Sequence, residues 1–239
     1  MSPEKLTASV RRLMKRAAPA VPLFVLYNIP FRDHGNHSAG GAEDEHEYIQ
    51  WVQAFADGLE GFEKPIVIIE PDALPLAHGD KKLTEFRVRL IGDALRILKD
   101  CKTYVDVGHP RWLSADDAAG LLGMIKADFT GFSVNVSNFV PLNECVAWGD
   151  EISKRTGWKK KFVIDTSRNG SPNHDGTWCN PRGKLLGHPP TLDTAYHNVD
   201  ALLWVKIPGE SDGYGNGGPK AGVFWPEYAM MLLGEQGLP

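Results

Sequence analysis

Apolar residues fall into two alternating patterns along this chain. Short runs near the length of one strand are almost continuously apolar, at residues 21–27, 66–70, 103–106, 132–136, 162–165 and 202–205. Between them, residues 45–59, 83–98, 114–126 and 142–156 carry apolar positions at helical spacing, several opened by Ser or Asp and closed by Gly. Strands that are apolar on both faces and linked by crossover helices predict a parallel sheet, hence an α/β fold that is either doubly wound or a (β/α) barrel. No internal repeat or low-complexity linker interrupts the alternation, so one domain is expected over residues 1–239.

Both folds place chemistry at the C-terminal ends of the strands. Asp33 follows the first run, Asp72 the second, Asp106 closes the third, Asp165 closes the fifth, and Glu210 with Asp212 follow the sixth. Asp is also a common turn former and helix cap. Capping alone, however, would scatter Ser, Thr and Asn among these positions, so the run of acids predicts carboxylates converging on one face.

Composition narrows the chemistry. With 42% hydrophobic residues, disorder is excluded, and a formal net charge of −4 without a basic run argues against nucleic acid as the main partner. No apolar stretch approaches the ~18 residues of a spanning helix, so no membrane role is expected, and the N-terminal segment is basic and amphipathic rather than a secretory leader. Cys101, Cys145 and Cys179 do not form a disulfide framework. The compartment is left open by this count.

Glu70-Pro71-Asp72 follows an apolar strand directly, so Pro71 ends the pairing and sets Asp72 on a rigid turn at the rim. A carboxyl at the mouth of a partly apolar cleft keeps its proton near neutral pH, as a general acid must. Arg32-Asp33 opens a Gly-rich loop. His34, His37 and His46 with Asp44 do not match metal-ligand spacing, so no metal and no other cofactor is expected. Trp112, Trp178 and Trp225 lie near predicted strand ends, where an indole beside carboxylates and amides stacks on a sugar ring, whereas Trp51, Trp148 and Trp204 are expected in the core. Asn135, Asn138, Arg168, Asn169, Asn180 and Lys206 supply donors near the same ends.

Taken in order, several strings resemble glycoside hydrolase family 6, the inverting cellulases. They are Val25-Leu26-Tyr27-Asn28-Ile29-Pro30 with Arg32-Asp33, Ser38-Ala39-Gly40-Gly41, Ile68-Ile69-Glu70-Pro71-Asp72, and Tyr104-Val105-Asp106-Val107-Gly108-His109 with Trp112. Asn135-Val136-Ser137-Asn138, Ile164-Asp165-Thr166-Ser167-Arg168-Asn169-Gly170, Trp178-Cys179-Asn180, and Trp204-Val205-Lys206 with Gly209-Glu210-Ser211-Asp212-Gly213 complete the series. The resemblance implies a distorted (β/α) barrel, Asp72 as general acid, and Asp33 raising that acid's pKa and helping to position the attacking water. It implies that Tyr27 crowds the distorted sugar ring and that Ser38 contacts water and sugar. Asp106, His109, Trp112, Asn135, Trp178, Lys206 and Glu210 match substrate-holding positions, and Asp212 matches the remaining aspartate of the site. Cellulose or β-1,4-glucan oligosaccharides would be the partners, and secretion the family setting.

Residues 213–220 are short where processive members carry a roof loop, which favours an endoglucanase over a cellobiohydrolase; a β-glucan-binding protein that has lost turnover is the alternative from another class. Relative to the family pattern, His34 and Tyr214 stand where cysteines are usual, leaving Cys179 without its customary partner. Residues 6–17 resemble the family's first helix, so its first strand is expected to be missing and six strands rather than seven to form the sheet. A monomer is expected, with association through an open barrel edge as the alternative. A closing helix is predicted over residues 221–233.

Overall fold

The computed structural model describes residues 2–33, 38–172 and 175–234. The expectations for His34 and His37 therefore lie outside the described residues. The chain opens with helix α1 (Pro3–Ala17), whose Pro sits in the first turn and whose Leu6, Val10 and Met14 form the buried stripe. Strands β1 (Leu23–Leu26), β2 (Ile66–Ile69), β3 (Lys102–Asp106), β4 (Gly131–Val134), β5 (Lys161–Asp165) and β6 (Val199–Leu203) follow in sequence and pair only with their chain neighbours, all parallel. The crossovers carry α2 (Glu45–Gly58), α3 (Ala73–Ala77), α4 (Lys81–Ile97), α5 (Ala115–Met124) and α6 (Leu142–Arg155), and α7 (Pro226–Leu233) closes the described chain.

Polar caps fix where the helices start. The Asp44, Asp80 and Ser114 side chains accept from the backbone N–H groups of Glu47, Leu83 and Asp117, each satisfying a donor the helix leaves open. Gly58 lets α1 and α2 approach closely, since a Cβ there would lie 2.6 Å from Val10 Cβ.

The sheet is curled. Outward-facing Val67, Ile69, Val105, Phe132 and Ile164 join the helix-facing core, while Ile66, Ile68, Tyr104, Val163, Ala201 and Leu203 form a second cluster inside the curve. The Tyr104 hydroxyl on β3 donates to Asp200 Oδ2 on β6 at 3.0 Å, a reach across the interior that a flat sheet forbids. The result is the expected α/β partial barrel of six strands, with β1 and β6 terminal. On its outer side β6 exchanges both backbone hydrogen bonds between Leu202 and Thr191, so that edge is partly covered.

Several boundaries differ from the sequence reading. The fourth strand ends at Val134 because Asn135 turns to φ 67°. The sixth runs Val199–Leu203 rather than 202–205, since the N–H groups of Val205 and Lys206 are taken by the Asp165 carboxylate at 3.3 and 3.1 Å. Trp204 thereby lies beyond the strand, half-buried, donating to the His188 carbonyl rather than filling the core. The last helix starts only at Pro226, because Phe224 first forms an antiparallel bridge with Glu210. The short α3 was not legible, having only Ala73-Leu74-Pro75-Leu76-Ala77 to signal it.

Candidate active site

The C-terminal ends of the strands open on a groove of about 1000 Å³. Its first wall is built by β1, β2 and their loops. Buried Glu70 accepts from the backbone N–H of Asn28 and Ile29 at 3.0 and 2.9 Å, tying the end of β1 to that of β2. Arg32 lies over the Tyr27 ring with its guanidinium carbon 4.8 Å from the centroid, donates to the Tyr27 carbonyl, and donates through Nε to the Ser38 carbonyl at 2.9 Å. The Ser38 N–H in turn donates to Asp33 Oδ2 at 2.7 Å. The loop thus returns on itself and presents Tyr27, Asp33 and Ser38 together to the groove.

Asp72 follows Pro71 on the same wall, with φ 65°, at the N-terminus of α3. Its backbone N–H donates to Asp106 Oδ2 at 2.9 Å, and the same oxygen accepts from Gly108 N–H at 3.1 Å. Burial, then the charges of Asp106 and Asp33, push the Asp72 carboxyl up to about 8, against the opposing pull of Arg87. Burial likewise raises Asp106, to about 6, although its hydrogen bonds from Asp72, Ser133 and Gly108 favour the ionised form. Tyr27 is also raised, by burial and by Asp72 and Asp33.

The second wall comes from β5, β6 and the segments after them. Asp165 is a buried hub whose carboxylate gathers the N–H groups of Ser137, Ser167, Val205 and Lys206. Arg168, fully buried, pairs with Asp212 at 2.8 Å, donates to Ser137 Oγ at 3.1 Å and stacks over Phe139 at 4.2 Å. Lys206 Nζ lies 3.7 Å from Asp212 and 3.9 Å from Glu210. Burial lowers the Lys206 pKa, while Asp212 and Glu210 oppose that shift. Asn180 completes the wall. Its Nδ2 donates to the carbonyls of Gly213 and Gly215 at 2.7 and 2.9 Å, its Oδ1 accepts from Asp212 N–H at 2.8 Å, and its own N–H donates to Asp212 Oδ2 at 3.0 Å.

Of the residues singled out in the sequence, Tyr27, Asp33, Ser38, Asp72, His109, Trp112, Trp178, Lys206, Glu210 and Asp212 line this one groove. Trp112 and Trp178 are 37% and 50% exposed there, and His109 lies 5.7 Å from Trp112 between ring centroids. Asp106 and Asn135 do not line it. Asp106 sits beneath Asp72 with its oxygens engaged by Ser133, Gly108 and Asp72, so it orders the acid's turn instead of facing solvent. Asn135 is buried, donating to the Asp165 carbonyl at 2.9 Å and accepting from Val140 N–H at 3.1 Å. Trp225 lies outside the groove lining and stacks on Tyr228. Among the described residues no group of three or more His, Cys, Asp or Glu is arranged to hold a metal ion.

Three residues were missed or undervalued. Arg87 lies fully buried behind both acid-bearing loops, and its signal was a charged residue inside the apolar stripe of α4. Asp165 reads as a member of the acidic rim and Glu70 only as the end of its strand run, yet both are buried carboxylates organising backbone.

Residues 2–236 match the family model described as glycosyl hydrolases family 6. The chain is 46% identical over 219 residues to endoglucanase A of Cellulomonas fimi, covering 90% of this chain and 47% of that protein. It is 39% identical over 228 residues to endoglucanase 1 of Streptomyces halstedii, covering 89% and 69%. This chain belongs to glycosyl hydrolase family 6. A solved family 6 structure, the endoglucanase Cel6 from Mycobacterium tuberculosis in complex with methyl-cellobiosyl-4-deoxy-4-thio-beta-D-cellobioside, superposes with a TM-score of 0.86 at 41% identity, covering 97% of this chain and 82% of that one. The chain spans about half the length of the Cellulomonas relative.

Cys101, Cys145 and Cys179 are all free thiols in this family 6 chain. Gly215 packs against Cys179, since a Cβ at 215 would lie 2.5 Å from the Cys179 sulfur. The hydrogen bonds of Asn180 tie the same two segments together where a bridge is absent.

Proposed function

We propose that this chain is an inverting endoglucanase that cleaves internal β-1,4-glucosidic bonds, with residues 1–239 as one catalytic domain. The observation that carries the reading is Asp72, a groove-lining carboxyl held protonated up to about pH 8 by burial and two neighbouring acids. It is a proton donor with the right state at neutral pH.

In this reading Asp72 delivers its proton to the glycosidic oxygen as the bond to the anomeric carbon breaks, and a water attacks that carbon from the opposite face. Inversion requires room for this water between acid and base. Asp33 helps to position the water and receives its proton through a water chain, while the Ser38 N–H on its Oδ2 fixes the carboxylate's orientation. Tyr27, between the two acids' fields, crowds the ring at the cleavage point. Trp112 and Trp178 offer exposed indole faces for sugar stacking, and His109, Lys206 and Glu210 supply polar contacts to hydroxyls. Arg168, 2.8 Å away, fixes the position of the Asp212 side chain on the far wall.

Endo action is favoured by the short segment after Asp212, folded against Asn180 and leaving Lys220, Ala221 and Gly222 at the groove's border. Action outside the cell is proposed with it, because the polymer itself is too large to be taken up intact.

The reading is tested on soluble carboxymethyl-cellulose and cellopentaose. Viscosity falling well ahead of reducing-end release, with α-configured product seen by NMR in the first minutes, is the expected result. Reducing ends rising with little viscosity loss would indicate a cellobiohydrolase, retained configuration would refute inversion, and binding without hydrolysis would leave a β-glucan-binding protein.

A further inference from the structure

The two loops that carry Asp33 and Asp72 meet at a single buried side chain. Arg87 projects from the core face of α4 and is fully buried. Its Nη1 donates to the Ala73 carbonyl at 2.7 Å and its Nη2 to the Phe31 carbonyl at 2.9 Å. Ala73 is the residue after Asp72, and Phe31 stands two before Asp33.

Both loops are held in backbone conformations that side chains other than Gly disfavour. Phe31, Asp33, Glu70 and Asp72 have φ of 58°, 57°, 47° and 65°. Phe31 shows the constraint most clearly, because its ring is 66% exposed while its carbonyl points inward to the guanidinium. An apolar ring left in water and a left-handed backbone together mean that something else fixes this residue. The inward hydrogen bond to Arg87 supplies that constraint. The planar fork matters too, since one guanidinium reaches two carbonyls from one stem whereas an ammonium is a single point charge. Nε of Arg87 has no hydrogen-bond partner, a cost that ordinary core packing would not retain.

We infer that Arg87 is a positioning residue that locks the Asp33 loop and the Asp72 loop to one another, so that the proton donor and the water-positioning carboxylate keep one mutual geometry. This role rests on the proposed assignment of Asp72 and Asp33, and it acts through backbone carbonyls rather than through substrate. The charged and titratable groups facing Asp72 are Asp106 from β3, Asp33 and Tyr27 from the loop after β1, and Arg87 from α4; those facing Arg87 are Glu70, Tyr27 and Asp72.

Arg87→Lys and Arg87→Met separate geometry from charge. Hydrogen exchange is measured for residues 28–33 and 70–77, alongside kcat, KM and the pH profile on cellopentaose. In Arg87→Lys both segments are expected to exchange faster together while α5 and α6 stay unchanged, and kcat to fall about 10-fold or more with KM altered less than about threefold. Its alkaline limb should stay in place because the positive charge is kept. In Arg87→Met the same kcat loss should come with a limb moved to higher pH, as the cation facing Asp72 is gone. Wild-type exchange in both segments with wild-type kcat in Arg87→Lys overturns the proposal. So does exchange that rises across the whole sheet with kcat falling in step with the folded fraction, which marks core packing alone. Should the wild-type protein leave cellopentaose intact, the general-acid reading fails while the exchange data still decide whether the two loops are coupled.

Discussion

The two walls of the groove each have a fully buried arginine behind an aspartate, and they treat it in opposite ways. Arg168 turns its guanidinium to the Asp212 carboxylate itself, 2.8 Å away, and Lys206 adds a second cation. Arg87 turns its guanidinium to two backbone carbonyls, leaving Asp72 faced at closer quarters by Asp106 and Asp33. One wall therefore holds a buried ion pair and the other a carboxyl whose pKa is pushed up to about 8. Burial contributes most to the raised Asp72 pKa, the charges of Asp106 and Asp33 add to it, and Arg87, its donors engaged by carbonyls, opposes it.

The hardest test of that contrast removes the proton and keeps the shape. Asp72→Asn is expected to lower kcat on cellopentaose by about 10²–10⁴-fold with oligosaccharide binding retained, measured by product release and calorimetric titration. Comparable turnover in this variant would mean that the donor lies elsewhere.

The opposite wall is broken by Arg168→Met, which strands Asp212 with Lys206 as its remaining cation. Loss of one partner from a buried pair costs about 3–5 kcal/mol, so denaturant unfolding should show a drop of that order. A change below about 1 kcal/mol would show that the pair contributes little beyond what Lys206 provides.

How much of this contrast was readable beforehand depends on what kind of interaction carries it. The strands, four crossover helices and the convergence of Asp33, Asp72 and Asp212 were legible because apolar period and chain order are local signals, whereas Tyr27 was indicated by the family resemblance. Asp165 and Asp106 carry the same carboxylate at comparable strand ends, and Asn135 an amide, yet their side chains bind backbone. Sequence shows that a carboxylate is at a rim and not whether it turns outward. Arg87 was invisible for a related reason, since its partners are carbonyls of Phe31 and Ala73, which any residue supplies. Trp225, expected beside a loop or strand end, lies outside the groove lining and stacks on Tyr228.

The wall around Asp212 also answers how this chain manages without a bridge at Cys179. Asn180→Ala removes donors to two carbonyls and an acceptor for Asp212 N–H, all in a buried setting, and should destabilise by about 1–3 kcal/mol in urea unfolding. Cys179→Ala, removing a free thiol, should cost less than half as much. Equal losses would assign the joint to packing around the sulfur.

The finest adjustment concerns the acid wall. Asp33 contributes to the raised Asp72 pKa after burial and Asp106, so Asp33→Asn lowers it without restoring the ordinary value of 3.8. With Asp72 as the proposed general acid, the protonated form is the active one, hence kcat/KM falls as pH rises through that pKa, and the alkaline limb near 8 should move to lower pH by about one unit or less. A folded-state carboxyl raised from 3.8 to about 8 binds more proton than the unfolded chain across that interval, so stability declines as pH increases from about 4 to 8. Asp33→Asn should shallow that decline slightly, as the folded-state pKa drops, and Asp72→Asn should remove this group's share of it. Thermal melts across the interval, paired with kcat/KM profiles, check both at once. A limb that stays put while the stability slope changes would separate the group limiting turnover from the group governing stability, and the wall would then hold two distinct titrating acids.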